Sequence, residues 1–288
     1  MHRFLTHRLL LPTFVLAFLS CSVPLAWGTT VQPFHQPSSL ISKRSGSLHL
    51  LMNSARNGDP VAQMKLGVYY HDKKDYSKAI YWWKRSAKHG NSAAQYLLGH
   101  AYGSGHSVSR NKTKAIYWMR KSATQGEAAA QSELGDDYSL GDGVPQSDVK
   151  AVYWWSEAAA QGEPAGQTLL GVAYLKGRGV RQNYSKAVFW WRKAAAQGYA
   201  MAQKNLGIFY VKGLGGKPDY AEALSWFRKA AEQGNAGAQY NLGVMYLYAQ
   251  GVDQDTTKAV YWWKKAAAQG DDDAKKALGK IKLGKDKQ

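Results

Sequence analysis

Apolar side chains recur along this chain at helical spacing, and the pattern repeats every 36 residues. Ala62, Leu66 and Tyr70 stand four apart, as do Ala94, Leu98 and Tyr102, and then Ala130, Leu134 and Tyr138. Residues four apart share one face of an α-helix, so each trio predicts a helix with one buried stripe. A second pattern follows: Ala79, Trp82, Trp83 and Ala87 fall on i, i+3, i+4 and i+8 of another helix. Leu-Gly pairs begin at 66, 98, 134, 170, 206, 242 and 278, the first interval being 32 residues and the other five 36. A tryptophan stands at 82, 118, 154, 190, 226 and 262. A glycine closes each unit at 90, 126, 162, 198, 234 and 270, preceded by glutamine in all but the first. Six tryptophans in this register exclude coincidence, and a fixed period of this length signals a repeat architecture.

Local signals mark where each helix starts and stops. Asp75, Asn111, Ser147, Asn183, Asp219 and Asp255 occupy one column ahead of the second helix. All are residue types that cap free N–H groups of a first turn. The closing glycines suit the left-handed position just past a helix C-terminus. Gly103-Ser-Gly105, Gly141-Asp-Gly143 and Gly177-Arg-Gly179 predict the turn between paired helices. The first unit lacks four residues there.

One helix pair cannot bury such a stripe alone, so the units are expected to stack into a continuous core. Glycine after each leucine leaves room for a neighbouring helix, and the Trp82 column is expected to fill that space as core. Positions 81 to 83 sweep about 200° of helix, more than one packed face needs. Tyr81, Tyr117, Tyr153, Phe189 and Tyr261 therefore stay open as rings exposed for stacking. The division expected is a leader at 1–28, a flexible tether at 29–45 and a capping helix at 46–58. Six units follow at 59–90, 91–126, 127–162, 163–198, 199–234 and 235–270, with a polar C-terminal capping helix and tail at 271–288.

The run Ala202-Gln203, Leu206-Gly207, Tyr210, Gly213, Ala223, Trp226, Lys229-Ala230-Ala231 and Gln233-Gly234 resembles the Sel1-like repeat, a relative of the tetratricopeptide repeat. The resemblance covers about residues 59 to 279. It implies an all-α, right-handed α-solenoid of six helix-turn-helix repeats acting as an adaptor for protein–protein contacts, with no shared catalytic residues. Secreted bacterial members are linked to envelope assembly or to host-cell contact. Some secreted relatives staple each repeat with a cysteine pair; this chain has a single cysteine, so that branch's features do not transfer.

The N-terminus changes the compartment expected. Arg3 and Arg8 precede an apolar run from Leu9 to Leu19, too short to span a bilayer, and Ala26-Trp27-Gly28 offers a cleavage site. A periplasmic or secreted product cut after Gly28 is expected. Lipid attachment at Cys21 is disfavoured, because Phe18-Leu19-Ser20 matches a lipoprotein box poorly. No other apolar stretch reaches membrane length. The 288 residues carry 38 Lys and Arg against 20 Asp and Glu. Without the leader's two basic residues the net charge is +16, which favours anionic partners. A secreted location argues against nucleic acid among them.

No catalytic constellation, phosphate loop or cofactor motif is present. His100 and His106 are six apart across a turn, wrong for two metal ligands on one helical face. Asp136-Asp137 with Glu133 is expected to be a solvated acidic face, with nothing apolar nearby to raise a carboxyl pKa. Two surfaces remain for binding. The first-helix face opposite Leu66 corresponds to the concave groove of tetratricopeptide relatives. It includes Met64, Val68, Tyr96, His100, Asp136, Val172, Lys204, Ile208, Tyr240 and Val244. Many are apolar where water would favour charge, which fits either packing between first helices or a groove for a peptide or partner helix. The second helices carry a basic ladder with Lys84-Arg85, Arg120, Lys121, Arg192, Lys193, Arg228, Lys229, Lys264 and Lys265, broken at Ser156-Glu157. Helix-terminal cations complementing the macrodipole explain it, and so does a track for an anionic or sugar polymer of the envelope. The leading expectation is a non-catalytic scaffold, without cofactor or metal, that holds a protein or peptide in the groove.

Overall fold

The structure is a computed structural model that describes residues 45–105 and 107–285. The expected leader, most of the tether and His106 lie outside the described residues. Within them the secondary structure is helical throughout, with fourteen helices. Helix α1 (Ser45–Arg56) precedes six antiparallel pairs. These are α2 (Pro60–Asp72) with α3 (Tyr76–Lys88), α4 (Ser92–Ser104) with α5 (Lys112–Thr124), and α6 (Ala128–Leu140) with α7 (Asp148–Ala160). Then come α8 (Pro164–Lys176) with α9 (Tyr184–Ala196), α10 (Ala200–Lys212) with α11 (Tyr220–Glu232), and α12 (Ala236–Leu247) with α13 (Thr256–Ala268). Helix α14 (Asp272–Lys285) closes the array. Each helix packs on the ones before and after it in the chain, which makes the molecule an α-solenoid.

The six cap residues do what their chemistry allows. Asp75, Asn111, Ser147, Asn183, Asp219 and Asp255 each accept from the backbone N–H three residues on. Each also donates its own N–H to the carbonyl of the tyrosine ending the leucine stripe, as Asn183 does to Tyr174 at 2.9 Å. Both helices of a pair are thereby locked at the turn. Gly105 is the left-handed cap of α4, whereas Gly103, expected in the turn, is the penultimate residue of that helix. The shortened first unit turns instead through Lys74 at a φ of 61°, a strained choice for a residue with a side chain.

Leu66, Leu98, Leu134, Leu170, Leu206 and Leu242 are sealed in the core. The aromatic partner of that column differs from the expectation. The buried residue is the one after the repeating tryptophan: Trp83, Met119, Trp155, Trp191, Phe227 and Trp263. The Trp82 column is only half-buried and packs on the core's rim. Helical geometry gives the reason: Trp83 lies midway between buried Ala79 and Ala87, four residues from each, whereas Trp82 is rotated about 100° away. The Leu-Gly glycine faces this inner ring directly. A Cβ at Gly67 would sit 2.3 Å from Trp83 and one at Gly171 2.5 Å from Trp191, so only glycine admits the indole.

A buried glutamine ladder sets the spacing between units. Gln95 Nε2 donates to the Ala87 carbonyl of the preceding unit (3.1 Å), and its Oε1 accepts from Gln125 Nε2 (2.6 Å). The arrangement recurs at Gln131 with Gln161, Gln167 with Gln197, Gln203 with Gln233 and Gln239 with Gln269. In the first unit, where the closing glutamine is absent, His89 Nδ1 lies 3.4 Å from Gln63 Oε1 in its place. A buried amide left without these partners would cost about 1–3 kcal/mol, so the ladder penalises slippage of one unit on the next.

Candidate functional site

Successive first helices are joined side chain to side chain. The Tyr96 hydroxyl on α4 donates to Glu133 Oε1 on α6 (2.9 Å), and Ser132 Oγ on α6 donates to Glu163 at the start of α8 (2.5 Å). The first helices form one layer of the solenoid, the expected inner face. Met64, Val68, Val172, Ile208 and Val244 lie on it half-buried, packed on the rims of the core clusters. Tyr240 is also half-buried, its ring stacked against Trp263 at 6.3 Å between centroids. Lys204 and His100 are partly exposed. Tyr96 is buried, its hydroxyl committed to Glu133, so it supports the surface from below.

The centre of this face departs from the expected solvated acidic patch. Asp137 is buried, and Asp136 Oδ1 accepts from the Trp155 indole N–H at 3.0 Å. Glu133 is partly exposed as a residue, yet its Oε2 is sealed from water and has no hydrogen-bond partner. Burial pushes the Asp136 carboxyl up to about 8, with the neighbouring Glu133 and Asp137 charges adding to it against the indole hydrogen bond. Burial also pushes Asp137 up to about 7, opposed by the Lys112 ammonium. Glu133 is raised by burial too, with His100 pulling the other way. The expectation failed because sequence spacing put these carboxylates on one helix without showing that Tyr96, Trp155 and the α8 N-terminus enclose them. The one available signal was their setting among alanines and serines, the small residues of a close helix–helix contact.

The outer layer is different in kind. The six second helices carry 17 Lys and Arg against four Asp and Glu. The six first helices carry four of each, three of the acids being the α6 cluster. Arg120, Lys121, Arg192, Lys193, Arg228, Lys229, Lys264 and Lys265 are all exposed. Several also brace the scaffold: Arg120 donates to the Tyr138 hydroxyl at 3.3 Å and Arg192 to the Tyr210 hydroxyl at 2.7 Å. Tyr81, Tyr117, Tyr153, Phe189 and Tyr261 are each about half exposed, at 51, 51, 55, 50 and 50%. Each meets the following tryptophan edge to face at about 5 Å.

Among the described residues no group of three or more His, Cys, Asp or Glu has a metal-holding arrangement. Nor is any described helix long and apolar enough to cross a membrane.

Comparison with known proteins agrees with the repeat period. The Sel1 repeat family matches at residues 60–91, 92–127, 128–163, 164–199, 200–235 and 236–271. A crystal structure of c5321, described as a protective antigen present in uropathogenic Escherichia coli strains displaying an SLR fold, is 36% identical with a TM-score of 0.69. That match covers 82% of this chain and 52% of the other, so this chain spans about half of that protein. A Sel1 repeat protein from Oxalobacter formigenes is 34% identical with a TM-score of 0.71, covering 76% of this chain and 87% of that one. Comparison with curated proteins gives no match. Sel1-repeat proteins are in general non-catalytic scaffolds, and their repeats mediate protein interactions. With six matched repeats over most of its length and two relatives above 30% identity, this chain belongs to the Sel1 repeat family.

Proposed function

We propose that this protein is a non-catalytic scaffold of the periplasm or cell exterior that holds a protein or peptide partner against the inner face of its first helices. The leader-like N-terminus supports the location, and envelope assembly or contact with a host cell are the roles such a location suits. The observation that carries the binding reading is the inner face itself. Its first helices are neutral in sum, and Val172, Ile208, Tyr240 and Val244 keep part of their apolar surface uncovered beside the acidic centre at Asp136. Apolar anchors of this kind dominate the energy of helix-in-groove contacts.

The test is affinity capture from envelope extract at low and high salt. A partner retained by the wild-type chain at both salts should be lost from Tyr240→Glu/Val244→Glu. It should be kept by Arg192→Glu/Lys193→Glu/Arg228→Glu/Lys229→Glu, since exposed charges contribute little to a contact they do not touch. Retention by the first variant and loss from the second would overturn the reading.

A further inference from the structure

We propose that the outer face of the second helices is a separate binding surface, for an acidic polysaccharide. This goes beyond the partner-holding inner face and does not depend on it.

Every second helix presents aromatic surface outward in the same register, through the half-buried Trp82, Trp118, Trp154, Trp190, Trp226 and Trp262. In all but the fifth unit a half-exposed ring stands beside that tryptophan, from Tyr81 to Tyr261. In four of those five units a cation lies over the pair one turn further on, the third carrying Glu157 there instead. Lys121 Nζ is 4.9 Å from the centre of Tyr117 and 5.8 Å from Trp118; Lys193 is 4.8 Å from Phe189 and 5.2 Å from Trp190. Lys265 is 4.7 Å from Tyr261 and 5.1 Å from Trp262, and the Arg85 guanidinium lies 5.8 Å from Tyr81. Ring and cation are held together on a rigid helix before any ligand arrives. An apolar ring edge meets the C–H face of a sugar, while the neighbouring ammonium meets a carboxylate on the same saccharide.

The breaks in the two columns choose among polyanions. Aromatic surface is present in all six units. Net positive charge is absent from two of the second helices, α7 with Asp148 and Glu157 and α11 with Glu222 and Glu232. A nucleic acid or an anionic bilayer is held first by its dense phosphates and draws on an unbroken run of cations. A chain of sugars with sparser carboxylates, held by rings and steered by charge, tolerates both gaps.

The probe is polygalacturonate, with polyphosphate, single-stranded DNA and phosphatidylglycerol vesicles as the comparison polyanions, titrated against the full chain at low and high salt. The ring variant is Tyr81→Ser/Tyr117→Ser/Tyr153→Ser/Phe189→Ser, chosen because serine already occupies this column at Ser225 and the fold accepts it there. Polygalacturonate should bind the wild-type chain. The ring variant should weaken binding at least tenfold at both salts with its helical circular dichroism unchanged. Lys121→Glu/Lys193→Glu/Lys265→Glu should weaken it more at low salt than at high salt, because exposed charges are screened. The Tyr240→Glu/Val244→Glu variant should bind as wild type, which separates this surface from the inner one. The proposal fails if polygalacturonate does not bind. It also fails if the ring variant binds it unchanged, or if polyphosphate, DNA or vesicles bind as tightly in a ring-dependent way.

Discussion

Replacing Trp191 by alanine tests the packing of the solenoid at the largest fully buried side chain among the described residues. Trp191 is 1% exposed, its indole N–H donates to the Thr168 carbonyl at 3.0 Å, and its ring lies where any side chain on Gly171 would have to be. Truncation of a buried tryptophan costs about 3–5 kcal/mol through lost transfer energy and the cavity left behind. The Thr168 carbonyl, deprived of its donor, adds up to about 1 kcal/mol. Trp190, one residue earlier, is half-buried with Lys193 over its ring, so its truncation removes a smaller apolar contact worth about 1–2 kcal/mol. The assay is urea denaturation followed by far-ultraviolet circular dichroism on both single variants. The midpoint should fall far more for Trp191→Ala than for Trp190→Ala. A double-mutant cycle sharpens the point. Gly171→Ala alone should destabilise by about 1–3 kcal/mol through overpacking. Paired with Trp191→Met it should cost less than the separate effects sum to, because in the second unit a Cβ at Gly99 would stand 3.2 Å from the flexible Met119 side chain, against 2.5 Å from the Trp191 ring at Gly171. Equal losses at 190 and 191, or strict additivity in the cycle, would refute the assignment of the inner ring to the core.

Further outcomes can be measured on the same protein. Folding raises the Asp136 carboxyl from 3.8 to about 8, so between those pH values the folded state binds more protons than the unfolded one and stability falls as pH rises. The wild-type chain should melt higher at pH 5.5 than at pH 8.5. Asp136→Asn, which still accepts from Trp155, should flatten that slope and raise the melting temperature at pH 8.5; an unchanged slope contradicts the buried-carboxyl account. Asn183→Ala removes the α9 cap and should cost about 1 kcal/mol in the same urea assay, with a loss below a few tenths counting against the cap's role.

Period, helix pairs, caps and closing glycines were legible in the sequence because each rests on local chemistry. An asparagine or aspartate three residues before a free N–H caps wherever it is placed, and Leu-Gly recurs at one interval. Which of two adjacent tryptophans is buried depends on the partner helix. Trp82 and Trp83 both suit a helix, and Trp83 is the one that shares a face with Ala79 and Ala87 and meets Gly67 of the partner helix. The α6 carboxylates were misread for the same reason. Glu133, Asp136 and Asp137 resemble a wet face until Tyr96 from one neighbour and Trp155 from the other close over them. On the outer face the exposed rings were foreseen as an open reading; their pairing with Lys121, Lys193 and Lys265 needed the helix in three dimensions.

The claim that the inner face holds a protein partner is tested most directly by site-specific photo-crosslinking in cells. A photoreactive phenylalanine analogue is placed singly at Val172, Ile208 or Val244 inside, and at Ala160, Ala196 or Lys264 outside. The account predicts that one protein is crosslinked from all three inner positions and from none of the outer three, and that Tyr240→Glu abolishes the product. Crosslinks to one protein from the outer positions alone would contradict it.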